Sequence, residues 1–360
     1  VGYVHFSACQ MDNRFKVVAG AFSRDPEINY KTAEKWGVDT SRCYDNWRDL
    51  VKNEKDKIDA VVVLTPTTNH LEILIELLQN NIPIICEKAL VTGPKEISEL
   101  KKHFNHEKNF LAVTFNYSGY AMVRELRDMI ENGKLGKIQK ILLEMPQEGF
   151  RRPPDIAGKM SPPQEWRLHD YEVPTICLDL GVHLHHLSTF LLKQEPDSTM
   201  AYFSNHSTYN GLIDDVQMLL RYPNNIVGHM WMSKTAIGNR NGLKISIYGD
   251  KGSAKWVQIN PDELEMCLLD GSRITIDRAS QCKFAGEFRY NRMKPGHPTG
   301  FIEAFANLYT DINDALHVFN SNQTINSTFV FGIDHASDGL DLFKAAKKSH
   351  EIMTWVNIKR

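Results

Sequence analysis

Val61-Val62-Val63-Leu64-Thr65-Pro66-Thr67-Thr68-Asn69-His70, followed one helix length later by Ile84-Ile85-Cys86-Glu87-Lys88-Ala89, is the stretch that decides the fold. Each half is a short, largely β-branched run that ends abruptly in polar residues. Between them, His70–Gln79 carries Leu71, Leu74, Ile75 and Leu78 on one face, with Thr67 to Asn69 as caps, which predicts an amphipathic helix. A buried run, a helix and a second buried run form the βαβ pattern of a parallel sheet. Both polar clusters then fall at the carboxyl edge, where doubly wound sheets bind ligands.

Working outward, strands are expected at 17–22, 60–65, 83–86 and 110–114, with a further helix over Pro94–His103 that turns Ile97 and Leu100 inward. After Tyr117 the rhythm changes. A helix over 121–130 leads through Gly133-Lys134-Leu135-Gly136-Lys137 into a strand at 138–144. A Pro- and Arg-rich loop from Gln147 to Glu165 precedes a helical segment around 178–192. Strand-like runs follow at 199–204, Asp215–Arg221, 226–233, 243–248, 254–258, 263–269 and 273–276, and helices at about 300–317 and 337–350 close the chain. The expected fold class is therefore α/β. Residues 1–118 would form a parallel-sheet domain, and 119–360 a second α/β domain with a large open mixed or antiparallel sheet.

At 360 residues, 42% apolar and 24% charged, the chain is an ordinary globular protein long enough for two cores. Its formal charge of -2 exerts no global pull toward nucleic acid or an anionic membrane. No apolar run reaches the roughly 20 residues a membrane helix needs. The six cysteines are scattered without metal or redox spacing, which fits a reducing, cytoplasmic setting.

Two groups of residues carry chemistry. Lys88, just past a strand, can polarise a substrate oxygen or stabilise an alkoxide, although a plain exposed loop lysine fits the segment as well. In Asp179-Leu180-Gly181-Val182-His183-Leu184-His185-His186, a regular helix sets Asp179, His183 and His186 on one face. A histidine there suits removal of a carbinol proton, with a carboxylate one turn away to orient it. Two other readings of that face stay open: imidazoles satisfied by backbone, and a metal face of ligand types that zinc accepts.

Taken in order, Thr65-Pro66 with His70, Glu87-Lys88, Gly133 to Lys137, Trp166-Arg167 and Asp179 with His183 resemble the Gfo/Idh/MocA oxidoreductases. The match runs through nearly the whole chain. It extends to Gly20-Ala21-Phe22-Ser23-Arg24-Asp25-Pro26-Glu27 and to Gly296-His297-Pro298 through Glu303-Ala304-Phe305-Ala306-Asn307-Leu308-Tyr309. The resemblance implies an N-terminal Rossmann domain and a C-terminal domain whose open sheet serves oligomerisation, as a homodimer or homotetramer. It further implies hydride transfer between a nicotinamide and a carbinol carbon of a sugar, cyclitol or sugar derivative. Carried over by position, the catalytic residues are Lys88, Asp179 and His183. The cofactor cleft takes Gly2, His5, Ser23, Arg24, Thr65, Pro66, Thr67, His70, Glu87, Lys88, Asn116, Trp166 and Arg167. The substrate side takes Tyr117, His186 and His297.

The chain departs from the family pattern at two places. Ala89 stands where the family has proline, so Lys88–Ala89 is expected either cis or trans with the lysine moved. Val1-Gly2-Tyr3-Val4-His5 resembles the end of the glycine-rich turn and the helix after it, so a first strand and its glycines are expected upstream. For the cofactor, Ser23-Arg24 suits the phosphate of NADP, while Asp25 keeps NAD open. Arg151, Arg152, Lys159 and Arg167 could meet a phosphate or nucleotide-sugar, or simply line a solvated loop. The pair Asp214-Asp215 looks like an acid–base dyad but is expected to cap a turn. Two other function classes compete with the dehydrogenase: a non-catalytic dinucleotide- or sugar-binding sensor, and a metal-dependent lyase or hydrolase.

Overall fold

The structure, a computed structural model, describes residues 1–151 and 163–359. Helices α1 (Gly2–Gln10), α2 (Pro26–Lys35) and α3 (Trp47–Glu54) lead into β1 (Val61–Val63), α4 (His70–Gln79), β2 (Ile84–Cys86), α5 (Pro94–His103) and β3 (Leu111–Val113). Among the described residues the three strands form a parallel sheet in the order β1-β2-β3. Strand alternation divides its side chains. Ile84 and Cys86 join the apolar faces of α4 and α5, whereas Ile85 and Ala112 meet α1 from the other side.

The strand expected at 17–22 is not formed; only Gly20 bridges Cys43, in parallel. A β-branched run becomes a strand only where a neighbour completes its ladder, and here the hydrogen bonds are confined to Gly20 N–H to Arg42 O and Tyr44 N–H to Gly20 O.

Then come α6 (Ala121–Glu131), β4 (Ile138–Pro146), a π turn at Cys177–Gly181, α7 (Val182–Leu192) and β5 (Ser198–Ser204). They are followed by β6 (Asp215–Arg221), β7 (Val227–Ser233), β8 (Lys244–Gly249), β9 (Gly252–Val257), β10 (Asn260–Leu268) and β11 (Arg273–Asp277). Helices α8 (Phe301–Asn320) and α9 (Ile333–Ile352) and the short β12 (Val356–Asn357) end the chain. Among the described residues β4–β12 make a mixed sheet in the order β11-β10-β9-β8-β4-β7-β6-β5-β12, with β4 and β7 its parallel pair. In β6, Val216, Met218 and Leu220 point to the helix-covered side, while Gln217, Leu219 and Arg221 face outward. The strands expected from residue 138 onward are therefore present with small shifts at their ends, and β12 is additional.

Helix α8 returns to the first sheet, packing on α1 and joining the Ile85–Ala112 face. The approach is close: a Cβ at Gly119 would sit 2.0 Å from the Ala304 carbonyl oxygen. No helix among the described residues is long and apolar enough to cross a membrane.

Candidate active site

Lys88 follows β2 directly, and its backbone is held by His70. His70 is fully buried, with Nε2 2.8 Å from Thr65 O and Nδ1 3.1 Å from both Ala89 O and Leu90 O. One ring thus ties the loop after β1 to the loop that carries the lysine. Of the two expectations for Ala89 the cis one holds, since the Lys88–Ala89 peptide is cis. His70 was expected in the cofactor cleft; it lies inside, its ring wedged between the loops after β1 and β2. Alanine at His70 removes the ring's hydrogen bond and opens a cavity, so we expect a loss of about 2–4 kcal/mol in a urea unfolding titration.

Opposite Lys88 lies the π turn. Regular α geometry would put Asp179, His183 and His186 in one row, but the wider turn at 177–181 breaks that phase. Gly181 permits the fit, because a Cβ there would come within 2.7 Å of Phe343. Asp179 turns toward the loop after β2, where Lys88 Nζ donates to its backbone O at 2.6 Å and lies 3.4 Å from its Oδ1. Arg167 reaches the same carboxylate from the short helical turn Glu165–Leu168, with Nε and Nη2 each 3.3 Å from an oxygen. A residue the sequence reading missed stands closest: Lys234, just past β7, donates to Asp179 Oδ2 at 2.6 Å and to Gln147 Oε1 at 2.8 Å. Burial pushes the Asp179 carboxyl up, but Lys234, Lys88 and Arg167 outweigh it and hold the group well below the usual carboxylate range.

His183 is also buried, with the Tyr117 ring edge-on at 4.6 Å and its own Nδ1 without a partner among the described residues. Burial, reinforced by the nearby Lys88 ammonium, holds it well below the usual histidine range against the pull of Asp179. It is therefore a neutral imidazole at physiological pH, able to accept a proton. The Tyr117 hydroxyl accepts from Asn241 Nδ2 at 3.3 Å, and Gln147 Nε2 donates to Asn241 Oδ1 at 2.9 Å, which links Tyr117 to Lys234 through amides. Tyr117 thus stands beside His183 and, through these amides, near Lys234 and Asp179.

His186 does not. It stacks on Phe115 at 4.5 Å and shares a 3.0 Å hydrogen bond with His335 Nε2, because its face of α7 is the one that α9 covers. This correction also removes the three-residue metal face, since Asp179 is engaged by cations and His186 points elsewhere. Among the described residues no group of three His, Cys, Asp or Glu is arranged to hold a metal. His297 is exposed in the loop before α8, where its carbonyl accepts from Arg278 Nη2 at 2.5 Å. Asp214 organises a turn as expected, accepting from the His206 and Ser207 amides at 2.9 and 2.8 Å.

The expected cofactor residues divide in two. His5 and Glu87 turn inward: His5 bonds Tyr309 Oη at 2.7 Å and Glu87 Oε1 at 3.0 Å, and Thr114 Oγ1 donates to the same Glu87 oxygen at 2.6 Å. Together they fasten α1 and α8 to the carboxyl edge of the sheet. Thr65 Oγ1 and Asn116 Nδ2, just past β1 and β3, are buried without partners among the described residues. Unpaired polar atoms at two strand ends on the same edge fit a polar ligand laid along it, as a dinucleotide would lie. Pro66 is exposed and Thr67 buried in the turn before α4, and Gly2 opens α1. Trp166 carries the Arg167 guanidinium 4.5 Å over its ring. Arg24 is exposed, whereas Asp25 uses Oδ1 to cap α2 through the Glu27 and Ile28 amides. Arg151 Nη2 bonds the His206 carbonyl, and Arg152 and Lys159 lie outside the described residues.

A parallel sheet with ligand-ready strand ends, and a lysine, an aspartate and a neutral histidine gathered beside them, define a dehydrogenase-like protein. Residues 1–115 match the oxidoreductase family with an NAD-binding Rossmann fold, and residues 123–255 match the GFO/IDH/MocA C-terminal domain; the chain belongs to this family. It is 28% identical to the uncharacterized oxidoreductase YfiI of Bacillus subtilis, over all of this chain and 94% of that protein. It is 24% identical to levoglucosan dehydrogenase of Pseudarthrobacter phenanthrenivorans, over 79% of this chain and 73% of the relative. An inositol dehydrogenase homolog of Azotobacter vinelandii, solved with NADH and myo-inositol, superposes with a TM-score of 0.87 at 25% identity, covering 99% of this chain and 93% of that one.

Proposed function

We propose that this oxidoreductase acts on a carbinol of a sugar, cyclitol or sugar derivative. His183 takes the hydroxyl proton, Lys88 stabilises the oxygen as negative charge develops, and Asp179 orients both. The observation that carries the reading is a buried His183, whose Nδ1 has no partner among the described residues, beside the Lys88–Asp179 pair. When bound, the nicotinamide supplies the hydride acceptor. Thr65, Asn116 and Arg24 would hold the cofactor, and Tyr117 with Asn241 would face the substrate. The domain division at about residue 118, a cytoplasmic location and a homodimer or homotetramer joined through the outer face of the large sheet belong to the same proposal. That face presents Tyr202, Leu219, Val227 and Tyr248 to solvent.

The test follows nicotinamide absorbance with NAD⁺ and NADP⁺ against sugars, inositols and nucleotide-sugars. A substrate-dependent rise is expected; cofactor binding without hydride transfer across the panel would favour a sensor instead. NADP is the expected preference, because Arg24 is exposed while Asp25 caps α2. Arg24→Ala should then raise KM for NADP⁺ about tenfold and leave that for NAD⁺ unchanged. Equal effects on the two cofactors would remove Arg24 from phosphate recognition.

A further inference from the structure

Three cations converge on the Asp179 carboxylate, and they are not equivalent. Lys234 lies 2.6 Å from Oδ2, Arg167 3.3 Å from each oxygen and Lys88 3.4 Å from Oδ1. The shortest contact of Lys88 is instead with the Asp179 backbone carbonyl, at 2.6 Å. Lys234 is also the most firmly mounted of the three. Gln147 at the end of β4 takes a second hydrogen of its ammonium, and its own amide donates to Asp214 O at 2.8 Å, so its backbone is fixed to the start of β6. Only about a tenth of its side chain is exposed, against 28% for Arg167, so its attraction to Asp179 is screened least by water.

We propose that Lys234 is the positioning residue of the site: it is the primary counter-ion of Asp179, holding that carboxylate ionised and in one rotamer so that Lys88 is left to the substrate oxygen. The half that concerns Asp179 stands on geometry alone, and the half that concerns Lys88 rests on the dehydrogenase reading. The other groups facing Asp179 do not replace Lys234. Tyr117 and His183 are neutral, Arg167 is more exposed, and Lys88 is shared with Glu87, whose carboxylate it also stabilises. Without Lys234 the carboxylate would either take up a proton more readily or draw Lys88 from its carbonyl contact.

The test follows aspartate carboxyl carbons by NMR in the full-length protein over the pH range in which it stays folded, with Asp179→Asn identifying the signal and the onset of protonation as the readout. Lys234→Met is expected to move the Asp179 titration upward by at least about one pH unit, and Lys234→Arg to restore most of it. In parallel, Lys234→Met should lower kcat at least about tenfold, leave KM for the cofactor unchanged, and shift the acid limb of the pH–rate profile in the same direction. Should the methionine variant fold poorly, Lys234→Gln keeps the bond to Asp179 without the charge and serves the same titration. An Asp179 titration identical in wild type and variant overturns the proposal. A displaced titration in a protein that oxidises none of the sugars upholds the counter-ion assignment and sinks the dehydrogenase reading; an undisplaced one in an active enzyme does the reverse.

Discussion

Alanine at His183 or at Lys88 is expected to lower hydride transfer by about 10²–10⁴-fold, with cofactor binding retained. The two losses have different origins. In the proposed reaction His183 would be the proton acceptor: it is buried and held in the neutral form, so it need not first lose a proton. Its replacement would remove that acceptor, and Asp179 is already engaged by three cations. Lys88 acts on charge. Removing its ammonium withdraws the donor that would meet the developing oxyanion, while Lys234 continues to hold Asp179. Single-turnover reduction of the nicotinamide reads both effects directly, and melting temperature reports whether the fold has survived. Wild-type rates in both variants would sink the residue assignment; loss in one alone would separate proton acceptance from oxyanion stabilisation.

Acidification is expected to destabilise the protein strongly well before its carboxylates titrate. The core holds several histidines that burial keeps neutral. His335 is pulled down to about 3, and His70, His183 and His186 are shifted in the same direction. In the unfolded chain each would titrate near 6.5, so below that pH the unfolded state binds protons that the folded state refuses. Stability is therefore full above about pH 6.5 and declines as pH falls. At pH 5 the cost is about 2 kcal/mol for His335 alone, with the other three acting in the same sense. Glu195, held at about 2 by His185 and His335 against the effect of burial, adds its loss only between about pH 4.5 and 2. The measurable result is a Tm lower by more than about 5 °C at pH 5 than at pH 7.5, with His335→Gln showing a shallower slope. A Tm flat across that interval would show that these imidazoles are charged in the native core.

The parts that were legible in the chain are those whose physics is local. The helix over His70–Gln79 and the strand Asp215–Arg221 have the bounds their patterns predict, because apolar spacing and turn residues act within a few positions. The run 17–22 has the composition of a strand yet bridges at one residue, since a strand is completed by its neighbour. The π turn was equally invisible: nothing in Cys177–Gly181 announces one extra residue per turn, and that residue sent His186 to the core while leaving His183 beside Lys88. His5 in α1, His70 at the start of α4 and Glu87 just past β2 carried residue types suited to the cleft. Which of them would be consumed by internal hydrogen bonds depended on where α8, α1 and the loop after β2 came to rest.

By itself, then, the sequence determined the alternation of strands and helices, the carboxyl edge on which Thr65, Lys88 and Asn116 stand, and the Asp179–His183 spacing. Tertiary structure alone decided which groups meet: Lys234 against Asp179, 55 positions away, and His186 against His335, 149 positions away. The reason is physical. Periodicity records which face of an element seeks the core, but contacts between distant segments are set by how whole sheets and helices pack, and such packing leaves no periodic trace in the chain.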